Sequence, residues 1–162
     1  MAYQAKLPVP FGLLGIQCQA DGLTRIDFLA PDTQPQQACS ALAQIICEQL
    51  LHYIANPEAK FSVPLKLNGT RHQLLVWQAL CAIPRGQTQS YGYLAKALKS
   101  SAQAVGQACG ANPIPLIIPC HRVIGKNGSG GFMRQRSGDS LAIKHWLLKH
   151  EGVVLPALSC GN

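Results

Sequence analysis

The chain has 162 residues, enough for one compact domain or two small ones, and 48% of them are hydrophobic. No apolar run approaches the roughly 20 residues that a membrane-spanning helix needs, which excludes an integral membrane protein. The first residues have only Lys6 before a short apolar run broken by Pro8 and Pro10, unlike a secretory signal. We therefore expect a soluble cytoplasmic protein.

Positive charge is concentrated in the second part of the chain. Residues 1–66 carry four Lys and Arg against five Asp and Glu, whereas residues 67–162 carry ten against two. Such an excess favours a polyanionic partner, nucleic acid first, because each Lys or Arg placed on a phosphate releases condensed counterions. A solvated basic surface has the same composition, so charge alone leaves both alternatives open.

The cysteines give no sign of a disulfide framework or a metal site. They are odd in number and form no CxxC pair, and most lie among apolar residues, where we expect them to pack. They are Cys18, Cys39, Cys47, Cys81, Cys109, Cys120 and Cys160.

The first part of the chain predicts a β-hairpin followed by a helix. Two short apolar runs flank the turn "ADG" in "FGLLGIQCQADGLTRIDFL". From Pro35 to Ala55 apolar residues recur at helical spacing. "ANPEAKFSVPLKLNG" has the composition of a linker, within which "FSVPLKL" could form an edge strand. We place a domain boundary here, between residues 1–66 and residues 67–162.

The second part is predicted to be mainly helical. A helix over "TRHQLLVWQALCAI" ends at "IPRGQ", and "TQSYGYLAKALK" and "SSAQAVGQACGANP" predict two short helices, with Ser100 or Ser101 as an N-cap. This pair suits a helix-turn-helix and equally a helical hairpin that never contacts DNA. "NPIPLIIP" is expected to be extended because its prolines disfavour helix. "SLAIKHWLLKHEG" predicts a final helix with Gly152 as its C-cap.

The segment "IIPCHRVIGKNG" at residues 117–128 contains the strongest candidate for chemistry, Cys120. A lone cysteine usually packs, but positive charge from His121 and Arg122 favours the reactive thiolate, and Glu151 could orient a histidine. Two nucleophilic roles remain open on these grounds. A hydrolase forms an acyl intermediate that water releases, whereas a thiol that accepts an alkyl group forms a thioether that water cannot cleave.

"NPIPLIIPCHRVIGKNGSGG" resembles the signature of the O6-alkylguanine-DNA alkyltransferases, whose active site contains PCHRV. The likeness covers about residues 68–153, through "GTRHQLLVWQALCAIPRGQTQSYGYLA", "QAVGQACGANP" and "KHWLLKHEG" in the family's order. PCHRV with Asn eight residues before the cysteine and WLLxHEG after it is a highly specific combination.

The resemblance implies an α/β (α+β) fold in two domains: a small ribonuclease-H-like N-terminal α/β domain and a helical C-terminal winged helix-turn-helix domain. It also implies irreversible transfer of the alkyl group of O6-alkylguanine, and of O4-alkylthymine, to Cys120. The partner is double-stranded DNA bound through its minor groove, from which the damaged base is extruded. The protein would act as a monomer, once per molecule, without cofactor or metal.

The resemblance assigns roles residue by residue. Cys120 is the nucleophile, His121 takes the thiol proton through a water, and Glu151 holds the imidazole. Asn112 braces the turn beneath Cys120, Tyr91 protonates or hydrogen-bonds the departing guanine, and Lys144 lies near the pocket floor. Taken singly, Tyr91 could instead pack, Glu151 could be a surface charge and Asn112 could start a turn. The implied DNA-contacting residues are Lys96, Ser101, Gln103, Ala104 and Arg122.

Two stretches depart from the family's pattern. Gln103 stands where the family usually has an arginine that fills the gap left by the flipped base, which predicts weaker DNA affinity. The loop "GGFMRQRSGDS" is longer than usual; Phe132 takes the place of a tyrosine there, and Arg134 and Arg136 could reach DNA phosphate or remain solvated. His72, where the family usually has an aromatic residue, is expected to pack.

Three other functions remain as alternatives. An alkyltransferase-like protein would bind the lesion and recruit other factors, but such relatives lack the nucleophile that "PCHRV" retains. A Cys–His hydrolase would leave the basic second part unexplained. A helix-turn-helix transcription factor would not depend on Cys120.

Overall fold

The structure is a computed structural model that describes residues 2–125 and 139–153. It contains two compact units, residues 1–67 and residues 68–162. This division falls one residue beyond the boundary that the sequence predicts. Strands and helices together give the mixed α/β class that was expected. Among the described residues, no helix is long and apolar enough to cross a membrane.

The first unit contains a three-stranded antiparallel sheet in the order β1-β2-β3. The predicted hairpin is confirmed as β2 and β3, which pair on either side of the turn at Ala20 and Asp21. The sheet's strands are β1 (Ala5–Val9), β2 (Gly12–Gln19) and β3 (Gly22–Leu29).

One helix, α1 (Ala41–Ala55), packs against this sheet. It begins later than the Pro35 start of the apolar pattern, because the Ser40 hydroxyl accepts the backbone N–H of Ala43 and so fixes the first turn. The core of this unit consists mainly of branched aliphatic side chains. They include Leu14, Ile16, Leu23, Ile26, Ile46 and Leu50.

Two features of this unit differ from the sequence-based expectation. Strand β1 was not predicted, since Pro8 interrupts its pattern; as an outer strand of the sheet it tolerates the missing N–H. "FSVPLKL" forms a single parallel bridge between Leu65 and Leu23 instead of an edge strand. Pro64 accepts a hydrogen bond from the Leu23 N–H but has no N–H of its own with which to extend the pairing.

The second unit is mainly helical, as predicted. A capping box between Thr70 and Gln73 starts the first of its helices, and the indole N–H of Trp77 donates to the Ala108 carbonyl at 2.9 Å. The predicted helix-turn-helix is confirmed as two short helices, with Ser101 capping the second. The helices are α2 (Arg71–Cys81), α3 (Tyr91–Ala97), α4 (Ala102–Gly110) and α5 (Asp139–His150).

The stretch from residue 113 to residue 119 is bent, so the prediction of an extended segment was wrong. The N–H of Ile118 donates to the Ile114 carbonyl, and Leu116 has a φ of 74°, in the left-handed region. Prolines exclude helix but permit such a turn. After it come a 3-10 turn (Cys120–Arg122) and the short strand β5 (Val123–Ile124), which pairs in parallel with β4 (Gln89–Ser90).

Candidate active site

Cys120 opens the 3-10 turn and is only 3% exposed. Burial raises the pKa of its thiol to about 11, although a hydrogen bond with Asn112 and the charge of Lys144 act in the opposite direction. At neutral pH the sulfur is therefore protonated, unlike the thiolate that the adjacent positive charge suggested. A reaction at this sulfur needs a base that removes the proton.

Asn112 holds the bent segment in place beneath Cys120. Its side-chain amide donates to the Ile118 carbonyl at 2.8 Å, and its side-chain oxygen accepts the Ile114 N–H at 2.9 Å. The Cys120 N–H also donates to the Ile118 carbonyl. One buried side chain thus satisfies both ends of the turn that leads into the motif.

Replacing Asn112 by alanine is expected to destabilise the second unit by about 2 kcal/mol, since it leaves the buried Ile114 N–H without its partner and removes one of the two hydrogen bonds to the Ile118 carbonyl. Both tryptophans, Trp77 and Trp146, belong to this unit, so urea unfolding followed by tryptophan fluorescence reports on it. Asn68→Ala, which truncates an exposed asparagine of the same unit, is the control. It should lower the free energy of unfolding by no more than about 0.5 kcal/mol. Equal losses for the two variants would contradict the bracing role of Asn112.

His121 and Glu151 form a buried pair with both side chains 0% exposed. The Nε2 of His121 lies 2.9 Å from the Oε2 of Glu151. A carboxylate only accepts, so Nε2 carries the proton and Nδ1 of the neutral imidazole keeps a lone pair. Burial lowers the pKa of His121, although Glu151 opposes this, and the imidazole stays neutral at pH 7. Nδ1 is buried and has no hydrogen-bond partner among the described residues.

The end of α5 brings Glu151 into this pair. The Glu151 N–H donates to the Leu147 carbonyl, and Gly152 then adopts a φ of 86°, which ends the helix as predicted. The carbonyl of Glu151 also lies 3.3 Å from the position that a Cβ on Gly86 would occupy. Glycine is therefore suited to both positions, since each has a positive φ.

Arg122, which is predicted to contact DNA, forms hydrogen bonds within the protein. Its Nε and Nη2 each donate to a carboxylate oxygen of Glu151 at 2.9 Å, and its Nη1 donates to the Ile83 carbonyl at 2.7 Å. Every nitrogen of the guanidinium has an internal acceptor. The geometry thus gives Arg122 a contact with the His121–Glu151 pair that its place in the sequence did not suggest.

Lys144 of α5 is 0% exposed and donates from Nζ to the Val123 carbonyl at 2.7 Å, directly after the 3-10 turn. Burial lowers its pKa to about 8, against the opposing influence of Cys120 and Cys109. Cys109 is a second buried thiol in this neighbourhood, and burial raises its pKa to about 12. Sequence reasoning assigned Cys109 to packing alone, since nothing in the pattern linked it to Cys120.

Tyr91 is the first residue of α3 and is half-buried. A Cβ placed on Gly106 of α4 would lie 3.9 Å from its ring, an ordinary van der Waals distance, so α4 passes close to the phenol ring. The preceding strand β4 pairs with β5, which follows Cys120 closely in the chain. This two-residue pairing, which the sequence did not predict, connects the Tyr91 region with the segment that follows Cys120.

The other predicted DNA-contacting residues lie on or beside the helix-turn-helix. Lys96, Ser101 and Gln103 are exposed, whereas Ala104 is half-buried and donates its N–H to the Ser101 hydroxyl. His72, expected to pack, is half-buried, and its Nε2 lies 2.8 Å from the Ser100 hydroxyl in the turn between the two helices.

Phe132, Arg134 and Arg136 lie outside the described residues. Within residues 2–125 and 139–153, no cluster of three His, Cys, Asp or Glu side chains could hold a metal ion.

Comparison with known proteins assigns the chain to a family. Residues 71–153 match the family described as 6-O-methylguanine DNA methyltransferase, DNA binding domain. An inducible methylated-DNA–protein-cysteine methyltransferase of Bacillus subtilis is 48% identical over 91 residues, which cover 52% of this chain and 51% of that protein. The chain thus spans about half the length of this relative.

Two further similarities cover most of the chain. A Mycobacterium tuberculosis methylated-DNA–protein-cysteine methyltransferase is 36% identical over 149 residues, covering 85% of this chain and 90% of that protein. A crystal structure of Mycobacterium tuberculosis OGT in complex with DNA is 36% identical, with a TM-score of 0.74 and 90% of each chain covered. The chain belongs to the 6-O-methylguanine DNA methyltransferase family.

Proposed function

We propose that the protein repairs DNA by transferring the alkyl group of O6-alkylguanine irreversibly to Cys120, one lesion per molecule. O4-alkylthymine would be a second substrate of the same site. The observation that carries the proposal is the buried Cys120 thiol followed by the His121–Glu151 pair, in a chain that belongs to this family.

The reaction follows from the protonation states of the site. Nδ1 of His121 accepts the thiol proton through a water, and the sulfur attacks the alkyl carbon. The S–C bond forms as the C–O6 bond breaks, and the departing guanine takes up a proton from the Tyr91 hydroxyl. The proton held by His121 replaces the one that Tyr91 gave up, so that protons balance. These steps use the chain's own groups and call for no cofactor or metal.

Irreversibility follows from the product. Water does not displace the sulfur from the alkyl carbon of a thioether under physiological conditions, so hydrolysis does not restore the thiol of Cys120. Nearby Lys144, which favours the charged form of Cys120, supports the sulfur as negative charge develops on it. The protein is consumed by each repair.

The DNA partner is supported by the relative from Mycobacterium tuberculosis, whose structure was determined in complex with DNA. We propose that α3 and α4 bind double-stranded DNA through the minor groove and that the damaged base is extruded, since its alkylated oxygen is otherwise inside the base stack. The nucleophile, the base and the helix-turn-helix lie on one chain, so the protein would act as a monomer. We propose that it acts in the cytoplasm.

The test is intact-mass and peptide mass spectrometry after incubation with a duplex that carries one O6-methylguanine. We expect one methyl group per protein molecule, on the Cys120 peptide, and none with the unmodified duplex. Cys81→Ala, which removes an exposed cysteine of the same unit, should retain full stoichiometry. Lesion binding without any change in mass would favour a lesion-binding protein, and absence of both would overturn the proposal.

Gln103→Arg is expected to strengthen binding to lesion-containing DNA, because arginine adds a charge and a longer reach at the position proposed to fill the gap in the base stack. Gln103 is exposed on the first turn of α4, so the change should leave folding nearly unaffected. The measurement is a fluorescence anisotropy titration of both proteins at matched salt. Equal dissociation constants would contradict this role of residue 103.

A further inference from the structure

The contact between Arg122 and Glu151 is a bidentate ion pair. Nε and Nη2 of Arg122 lie 2.9 Å from Oε1 and Oε2 of Glu151, respectively, and Oε2 also accepts from His121. The Arg122 side chain is 14% exposed and that of Glu151 is 0% exposed. A single carboxylate therefore connects the guanidinium with the imidazole that acts as the base.

Glu151 needs this cation because of where it lies. It is buried, and it directly follows the last residue of α5, where the helix dipole disfavours negative charge. A neutral His121 donates one hydrogen bond but does not balance the charge. Arg122 supplies the positive charge, and its third contact, to the Ile83 carbonyl beyond the end of α2, fixes the plane of the guanidinium.

We propose that Arg122 is a positioning residue for the alkyl transfer, which fixes Glu151 so that Glu151 in turn fixes the tautomer and orientation of His121. The inference rests on the proposed function, and it replaces the DNA contact first predicted for Arg122. Arg122 touches neither substrate nor sulfur in this role; it acts through the carboxylate.

The charge of Arg122 also bears on the protonation of His121. Glu151 favours the imidazolium form, whereas Arg122 and Lys144 disfavour it. Arg122 also acts to lower the pKa of Cys81 in α2, against the larger effect of burial, which raises it. Without Arg122, the carboxylate would favour a protonated imidazole more strongly, and a protonated imidazole cannot accept the proton of Cys120.

The experiment is a double-mutant cycle of Arg122→Gln and Glu151→Gln, with rates of methyl transfer measured at saturating lesion duplex in a single turnover. Arg122→Gln should slow transfer about tenfold at neutral pH in the wild-type background, but less than about twofold when Glu151 is already glutamine. The dissociation constant for the duplex should stay within about twofold in both backgrounds. Arg25→Gln, which removes an arginine from an exposed pair with Asp27, is the matched control and should leave the rate unchanged.

The pH dependence of the transfer rate provides a second test, because losing a residue with a purely structural role would not change it. In Arg122→Gln the rate should begin to fall at a higher pH than in the wild type, because the imidazole is then protonated more easily. Arg122→Lys retains the charge without the bidentate contact. It should keep the wild-type pH profile and lose less of the rate than Arg122→Gln. It serves as the second variant if Arg122→Gln does not fold.

Three results would overturn the inference. They are an equal loss of rate in both backgrounds, an unmoved pH profile in Arg122→Gln, and weaker DNA binding with a lower salt dependence and an unchanged rate at saturation. The last would return Arg122 to phosphate binding. Nitrogen NMR of the His121 imidazole separates this inference from the proposed function. A higher pKa in Arg122→Gln would support the link to His121 even if the wild-type protein transferred no methyl group.

Discussion

Replacing Cys120 by alanine is expected to abolish the gain of a methyl group from O6-methylguanine DNA while binding to the lesion duplex persists. The sulfur is the only atom of this side chain that can form the new bond to carbon. The groups proposed to bind DNA lie on α3 and α4 and are unchanged by the substitution. The variant would therefore form a stable complex with the substrate that does not react further.

The charge balance explains why this variant should fold. Because the pKa of Cys120 is raised to about 11, the thiol is neutral at pH 7, and alanine removes no charge from the buried neighbourhood of Lys144. The expected cost is about 1 kcal/mol, that of a small truncation in a core. Intact mass spectrometry measures the transfer, and anisotropy with lesion and unmodified duplexes measures the binding.

Two outcomes would contradict this account. A methyl group on the Cys109 peptide of Cys120→Ala would make the second buried thiol an acceptor, although its pKa is higher still, at about 12. Loss of lesion binding in Cys120→Ala would mean that the thiol contributes to recognition as well as to chemistry. Binding without transfer in the wild type would instead support an alkyltransferase-like lesion binder.

The sequence predicted the helices and the hairpin because each has a local signal. The β2–β3 hairpin follows from the apolar runs around "ADG", and α2 lies within the helix predicted over "TRHQLLVWQALCAI". Helix α4 starts at the predicted Ser101 cap, and α5 ends at Gly152, where a positive φ suits glycine. These features depend on residues within a few positions of one another.

The features that the sequence did not predict depend on distant partners. Arg122 precedes its carboxylate by 29 residues, so a count of charges treats it as one more surface cation. The bend after Asn112 depends on a side chain that binds both ends of the turn, while the prolines indicated only the absence of helix. The pairing of β4 with β5 involves two residues from each strand, too few to give a pattern.

The candidate site was predictable only in part for the same reason. The residues themselves indicated Cys120 and His121 and suggested that Glu151 orients a histidine, and the resemblance paired Glu151 with His121, 30 residues before it. Adjacent positive charge suggested a thiolate, but burial outweighs that charge and keeps the thiol protonated. A protonated thiol needs a base before it can react as a thiolate. The burial that keeps Cys120 protonated could not be predicted from the residues next to it in the chain.

Replacing His121 by glutamine is expected to slow methyl transfer by about a hundredfold or more at pH 7, within the range that general base catalysis contributes. Glutamine can still hydrogen-bond to Glu151, but it cannot accept a proton from the thiol. The remaining reaction must use thiolate that is already present, about one part in ten thousand at pH 7 for a pKa near 11. Single-turnover rates at saturating lesion duplex measure the loss.

The pH dependence of the two proteins should differ in a characteristic way. Burial lowers the pKa of His121 from 6.5, so the wild-type rate should fall only as the pH drops below that value and the imidazole becomes protonated. His121→Gln lacks this group, and its rate should instead rise about tenfold per pH unit as the thiolate fraction grows. Measurements from about pH 5 to about pH 7.5 remain below the range in which Lys144, with a pKa of about 8, loses its charge.

A matched substitution distinguishes the base from a general effect of removing a histidine. His52→Gln changes an exposed histidine in the last turn of α1 and should retain both the rate and the acid limb of the wild type. If His121→Gln kept the wild-type pH profile with only a lower rate, proton transfer to His121 would not limit the reaction. In that case the positive charge of Lys144 would have to stabilise the Cys120 thiolate in the complex with substrate, against the burial that raises the pKa of the thiol.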